Sequence, residues 1–169
     1  MYSILFIVII IAAIGGGAFL YQVNTAPVGQ PKPSAGKPTR SVFDGSIIDK
    51  SGQSLTRIDA SFFQSNRDIT VLDLSNNSLT GALPAEIRHL SRLRELRASN
   101  NAMTGVPAEI GQLSNLEVLD LSNNAITGLP YELGNLKRLR VFNLKGNPFS
   151  QQDLDRIRQG IPQATIITN

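Results

Sequence analysis

Five positions recur four times along this chain at a nearly constant interval, and that recurrence restricts the fold more than any other feature of the sequence. Ile69, Leu72, Leu74, Asn77 and Leu79 return as Leu93, Leu96, Ala98, Asn101 and Met103. They return again as Leu116, Leu119, Leu121, Asn124 and Ile126, and a last time as Leu139, Phe142, Leu144, Asn147 and Phe149. The offsets between copies are 24, 23 and 23 residues. Self-similarity at such a period marks a solenoid, in which each unit buries its apolar face against the next. Each Leu-x-Leu predicts a short strand with its two leucines pointing inward and the intervening residue pointing outward. Strands of successive units then lie about 4.8 Å apart in one parallel sheet. Bulkier return segments space the units further apart on the other side, so the stack is expected to bend with its sheet on the concave face.

The repeated string Leu-x-x-Leu-x-Leu-x-x-Asn-x-Leu resembles the leucine-rich-repeat family. The tails Leu83-Pro84-Ala85-Glu86-Ile87, Val106-Pro107-Ala108-Glu109-Ile110 and Leu129-Pro130-Tyr131-Glu132-Leu133 resemble that family's variable segment. The Leu-Thr-Gly and Gly-x-Leu elements look like those of its plant and bacterial subclasses. The resemblance covers about residues 45 to 169 and implies an α/β fold, with a short curved parallel sheet on the concave face and irregular or helical return segments on the convex one. It also implies a buried structural ladder of Asn77, Asn101, Asn124 and Asn147, whose amides satisfy backbone groups where the chain turns away from each strand.

The repeats predict a domain over 44–169, with units at 69–92, 93–115, 116–138 and 139–150. A degenerate copy forms an N-terminal cap at about 44–68. Ile48 and Leu55 lie 24 residues before Leu72 and Leu79, but Lys50 and Gln53 stand where leucine and asparagine are expected. A polar replacement suits a terminal unit with one face toward water. The C-terminal cap, 151–169, is expected to be a helix over Gln151 to Gln159, ended by Ile161-Pro162, and a closing strand over Ala164 to Thr168.

Ahead of the domain the composition is different. No side-chain charge precedes Lys32, and Ile4 to Leu20 is an unbroken apolar run between Tyr2 and Tyr21. A helix from Tyr2 to Tyr21 spans roughly 30 Å, the thickness of a hydrocarbon core, and tyrosines suit the two headgroup regions. With no basic residue before the run and no well-formed small-residue cleavage site, residues 1–23 read as an uncleaved single-pass transmembrane anchor, with residues 2–21 in contact with the lipid bilayer. Residues 24–43, which include Pro27, Pro31, Pro33 and Pro38, read as an extended linker.

Charge narrows the partners. The overall +3 comes entirely from Lys32, Lys37 and Arg40, because residues 41 to 169 carry 13 basic and 13 acidic side chains. A globally basic nucleic-acid face is therefore not expected, although a local arginine cluster is compatible with this balance. The positive-inside rule, applied to those three cations, favours a cytoplasmic domain. The short N-terminal tail and proline-rich spacer favour display outside the membrane, and extracytoplasmic placement is the expectation adopted.

The sequence offers little for catalysis. Glu86, Glu109 and Glu132 occupy one equivalent position in successive units, so nothing differentiates them into acid and base. His89 is the only histidine and there is no cysteine, so no metal set is expected. No phosphate loop, dinucleotide fingerprint or nucleophile elbow occurs, no cofactor is expected, and the chain reads as a non-enzyme. Asn76-Asn77-Ser78 fits a glycosylation sequon, but Asn76 is part of the repeat.

The outward strand positions remain. One column reads Asp49, Asp73, Arg97, Asp120 and Asn143; a second Ile47, Val71, Glu95, Val118 and Val141; a third Ser51, Ser75, Ser99, Ser122 and Lys145. The candidate ligand-binding residues are Asp73, Glu95, Arg97, Asp120 and Asn143; Arg97, between Asp73 and Asp120, is either one rung of a surface ion-pair ladder or the specificity element of a binding face. Arg92, Arg94, Arg138 and Arg140, interrupted by Glu117, form a second candidate at the sheet edge. The expected function is a membrane-anchored interaction module that binds a protein, peptide or cell-envelope ligand through a monomeric repeat domain. The alternative is a structural or regulatory membrane subunit that assembles through its anchor, with the repeats as a passive scaffold.

Overall fold

The computed structural model describes residues 46–169. The expected anchor (1–23), the linker (24–43) and the start of the N-terminal cap lie outside the described residues. Among the described residues no helix is long and apolar enough to cross a membrane.

Among the described residues, eight strands and two α-helices follow in the order β1 (Ser46–Asp49), α1 (Ala60–Ser65), β2 (Ile69–Asp73), β3 (Thr80–Gly81), β4 (Glu95–Arg97), β5 (Ala102–Met103), β6 (Val118–Asp120), β7 (Val141–Asn143), α2 (Gln151–Gly160) and β8 (Thr165–Ile167). One six-stranded sheet has the order β1-β2-β4-β6-β7-β8, and β3 pairs with β5 in a second, two-stranded sheet. Every pairing is parallel. Leu72, Leu96, Leu119 and Phe142 are register partners along one line, and all four are fully buried. Burying each of these side chains is worth roughly 1.5–3 kcal/mol, so the line forms the spine of a continuous core.

The strands sit one residue earlier than Leu-x-Leu, and β4 covers Glu95–Arg97 where Leu96 to Ala98 is expected. The asparagines account for the shift. Leu74 still donates its N–H to the Arg97 carbonyl at 2.7 Å, but its own carbonyl accepts from Asn77 Nδ2 at 2.9 Å and Asn101 Nδ2 at 3.0 Å. With that carbonyl diverted to side chains, the backbone ladder ends.

The return segments are 3-10 helices at Ala85–His89, Ala108–Gln112 and Tyr131–Asn135. Each follows a proline whose fixed φ and missing N–H suit a helix start. Each then repeats one bond pair: Ile87, Ile110 and Leu133 donate to the proline carbonyls, and Leu90, Leu113 and Leu136 donate to the carbonyls of those three residues. Glu86, Glu109 and Glu132 all lie in the first turn of these helices.

The two ends close differently. Near the N-terminal end α1 buries Phe63, which meets Phe62 edge to face with ring centroids 5.3 Å apart. At the C-terminal end the Ser150 side chain caps α2 by accepting from the Asp153 N–H, and Leu154 and Ile157 are buried. Lys137 Nζ donates to the carbonyls of Gly134 and Gly160 at 2.9 and 2.7 Å, pinning the end of α2 to the last 3-10 helix. β8 then pairs with β7 and completes the sheet.

Candidate functional site on the open face of the sheet

The register brings the first two expected columns together as drawn from the sequence. Asp49 lies beside Asp73, Asp73 beside Arg97, Arg97 beside Asp120, and Asp120 beside Asn143. Ile47, Val71, Glu95, Val118 and Val141 form the parallel column. β8 extends both, setting Thr165 beside Val141 and Ile167 beside Asn143. Neither residue is among the columns expected from the sequence, although Ile167 stands 24 residues after Asn143, a full period.

Two members of the third column are withdrawn from the open face, while Lys145 is exposed. Ser75 and Ser122 are buried and Ser99 is half-buried. Ser99 Oγ donates to Ser75 Oγ at 3.1 Å, and Ser122 Oγ donates to Asp120 Oδ1 at 2.7 Å. These serines lie just past the strands, where the chain turns back over the core, so strict alternation no longer points them outward.

Four of the five residues in the aspartate column share one local task. Asp49, Asp73, Asp120 and Asn143 each accept, through Oδ1, the backbone N–H two residues on, at 2.8, 2.9, 3.0 and 3.2 Å respectively. This Asx bond starts the turn after the strand. The Ser51 backbone N–H, and after it the Ser51 side chain, hold the Asp49 carboxyl below its ordinary value. Arg97 has no acceptor to offer, so the Ser99 N–H lacks the equivalent bond, worth about 0.5–1.5 kcal/mol in the other units. Arg97 instead binds Glu95 on its own strand, with Nη2 2.6 Å from Oε2, and only approaches Asp73 at 4.0 Å. The expected ladder through Asp120 does not form: Arg97 pairs with Glu95, and the Asp120 Oδ1 accepts from the Ser122 N–H and hydroxyl. A partly exposed pair such as Arg97–Glu95 returns about 0–1 kcal/mol.

The asparagines form two ladders. In the inner one, Asn77, Asn101, Asn124 and Asn147 each donate to the carbonyl three residues back and to a carbonyl of the preceding unit. Each Oδ1 also accepts an N–H of that preceding unit. The outer ladder was not anticipated: Asn100 Nδ2 donates to Asn76 Oδ1 at 3.0 Å, and Asn123 Nδ2 to Asn100 Oδ1 at 2.8 Å. Asn76, Asn100 and Asn123 have φ of 58°, 55° and 54°, and Gly52 and Gly146 fill the equivalent positions in the flanking units with φ of 63° and 74°. Asparagine and glycine are the residues that tolerate this left-handed conformation. The doubled asparagine, at Asn76-Asn77, Asn100-Asn101 and Asn123-Asn124, is the outer ladder's signal in the sequence.

Among the described residues no cluster of histidine, cysteine and acidic side chains could hold a metal ion. A small cavity of about 160 Å³ lies between the N-terminal cap and the return segments, lined by Ile58, Leu79, Leu83, Pro84 and Met103 with Arg57 at its margin. It involves none of the candidate residues.

The leucine-rich repeat region family matches residues 47–155. No curated protein matches the chain significantly. Among solved structures the chain is similar to a leucine-rich-repeat protein of Leptospira interrogans, 40% identical over 66% of this chain and 28% of that one, with a TM-score of 0.61. It is also similar to the ectodomain of the receptor kinase SOBIR1 from Arabidopsis thaliana, 28% identical over 72% of this chain and 67% of that one, with a TM-score of 0.59. A third likeness is to the ectodomain of the Arabidopsis thaliana receptor kinase GASSHO1/SCHENGEN3, solved in complex with Casparian strip integrity factor 2. That likeness is 28% identical over 66% of this chain and 14% of the receptor, with a TM-score of 0.57. The chain thus spans well under a third of the Leptospira and GASSHO1 chains.

Proposed function

The chain belongs to the leucine-rich-repeat family, and on that basis we propose that it is a protein-interaction module whose open sheet face, centred on Glu95 and Arg97, captures a protein or peptide partner. The observation that carries this reading is the exception in the aspartate column. Asp49, Asp73, Asp120 and Asn143 stabilise their own turns, whereas Arg97 gives up that bond and carries a half-exposed guanidinium at the middle of the sheet. A residue that departs from its repeat at a cost to its own turn is best accounted for by work done outside the fold. Charge complementarity at such a point acts mainly on specificity and association rate. The leucine-rich-repeat ectodomain of GASSHO1, solved in complex with Casparian strip integrity factor 2, supports a similar use here.

In the same reading residues 2–21 anchor the chain in the bilayer as a single pass, the linker at 24–43 holds the domain off the membrane, and the domain works outside the cytoplasm as a monomer. Binding is assigned to Asp73, Glu95, Arg97, Asp120 and Asn143, and no catalysis is assigned.

Restoring the residue of the repeat tests this. Arg97→Asp returns an acceptor for the Ser99 N–H while placing a third carboxylate between Asp73 and Asp120, so stability should change by no more than about 1 kcal/mol. Capture of a partner from an extract of the source cells should fall at least tenfold. A variant with a parental urea midpoint and undiminished capture would remove the sheet face from consideration.

A further inference from the structure

The edge of the sheet where the strands begin carries four arginines, and their environment differs from that of Arg97. Arg94 and Arg140, immediately before β4 and β7, flank Glu117, immediately before β6. Arg94 Nη1 lies 3.9 Å from Glu117 Oε1, and Arg140 Nε lies 3.9 Å from Glu117 Oε2. The backbone sets this spacing: Glu117 donates its N–H to the Arg94 carbonyl and Arg140 donates to the Glu117 carbonyl, each at 2.8 Å. Two residues earlier, Arg92 approaches Asp68 at 3.5 Å, and Arg138 Nη1 donates to Asn115 Oδ1 at 2.8 Å. Four guanidinium groups therefore face two carboxylates. Both contacts to Glu117 exceed hydrogen-bonding distance, and the Arg94 and Arg140 side chains are 58% and 78% exposed. Their forked donors remain open to an incoming carboxylate.

We propose that this arginine rim, Arg92, Arg94, Arg138 and Arg140, docks an acidic segment of the protein partner, with Glu117 occupying the position that the partner's carboxylates take. The proposal rests on the interaction-module reading and names the chemistry of its ligand. Two observations favour a short acidic peptide over a long polyanion. Residues 41 to 169 carry equal numbers of acidic and basic side chains, so there is no extended positive field, and attraction is confined to the rim. Beside the rim, Val118 and Val141 on the strands that Glu117 and Arg140 introduce are half-buried members of the open face. They offer apolar contact to the alternate side chains of an extended peptide.

The test uses the full chain in non-ionic detergent and fluorescence anisotropy with a labelled (Glu-Val)4 peptide, against (Gln-Val)4 as the neutral control. The acidic peptide should bind at least tenfold more tightly than the neutral one, and added salt should weaken it. Arg94→Gln combined with Arg140→Gln should lose at least tenfold, whereas Arg156→Gln with Arg158→Gln on α2 should change nothing. Glu117→Gln should strengthen binding severalfold, because it removes the internal competitor. This opposite sign keeps the test decisive should the double variant fail to fold by circular dichroism. Equal affinity for the two peptides, or unchanged or weaker binding by Glu117→Gln, would overturn the proposal. Equally tight binding of a single-stranded oligonucleotide of matched charge would overturn the assignment to an acidic peptide. Silent rim variants alongside a sensitive Arg97→Asp would remove the rim and leave the sheet face standing.

Discussion

Asn124 makes four hydrogen bonds to backbone: its Oδ1 accepts from the Met103 N–H, and its Nδ2 donates to the carbonyls of Ala98, Leu121 and Ser122. It is buried, so water cannot replace any of them. Leucine fills a similar volume and is more apolar, yet Asn124→Leu strands a buried N–H and several carbonyls from two units. Such a loss costs the desolvation of each abandoned group and not merely the net value of a bond. The substitution should destabilise the domain by roughly 1–3 kcal/mol, read as a lowered midpoint in urea. An unchanged midpoint would mean that the turn finds other partners. The same accounting separates the two kinds of polar residue on this molecule. Asp73 and Asp120 are held by their own turns, whereas Arg97 is paired only with side chains that a partner can displace.

Between elements, the close stacking of successive 3-10 helices depends on a missing side chain. A Cβ at Gly111 would collide with the backbone carbonyl of Glu132, and one at Gly134 would still touch the end of α2 near Ile157 and Gly160. Neither glycine has the positive φ that would demand glycine for conformational reasons; the requirement is space. Gly111→Ala should push apart the helices at Ala108–Gln112 and Tyr131–Asn135 and cost about 1–3 kcal/mol by overpacking. Thermal denaturation would read this as a lowered melting temperature. Gly128→Ala, whose Cβ meets nothing within 4 Å, is the matched control and should melt close to the parent.

For the domain as a whole, completeness of the ends decides whether it stands alone. The outermost strands, β1 and β8, carry Ile47 and Ile167, which are 54% and 36% exposed, and each has one unpaired edge in the sheet order. Both strands are short, which limits edge-to-edge association, while α1 and α2 cover the core at the two ends. A fragment of residues 41–169, with no net charge from its side chains, should therefore be monomeric by light scattering and unfold in one cooperative transition. It should also retain partner capture without residues 1–40. Persistent aggregation would show that the edges need covering. Loss of capture by a folded fragment would favour assembly through the N-terminal segment.

The repeat period determined the solenoid, the parallel sheet and the two outward columns, because each follows from side chains that recur at fixed positions, and the family resemblance implied the inner asparagine ladder. Periodicity is a local signal, and stacking identical units turns it directly into three-dimensional neighbours. It could not decide what happens where units differ or where two units touch. The burial of Ser75 and Ser122, the left-handed turns at Asn76, Asn100 and Asn123, and the diversion of the Leu74 carbonyl depend on contacts between one turn and the next. Arg97 shows the division most directly. Its departure from the column is written in the sequence, but its pairing with Glu95 and not with Asp120 depends on where the side chains lie across neighbouring strands, which a repeat period does not encode.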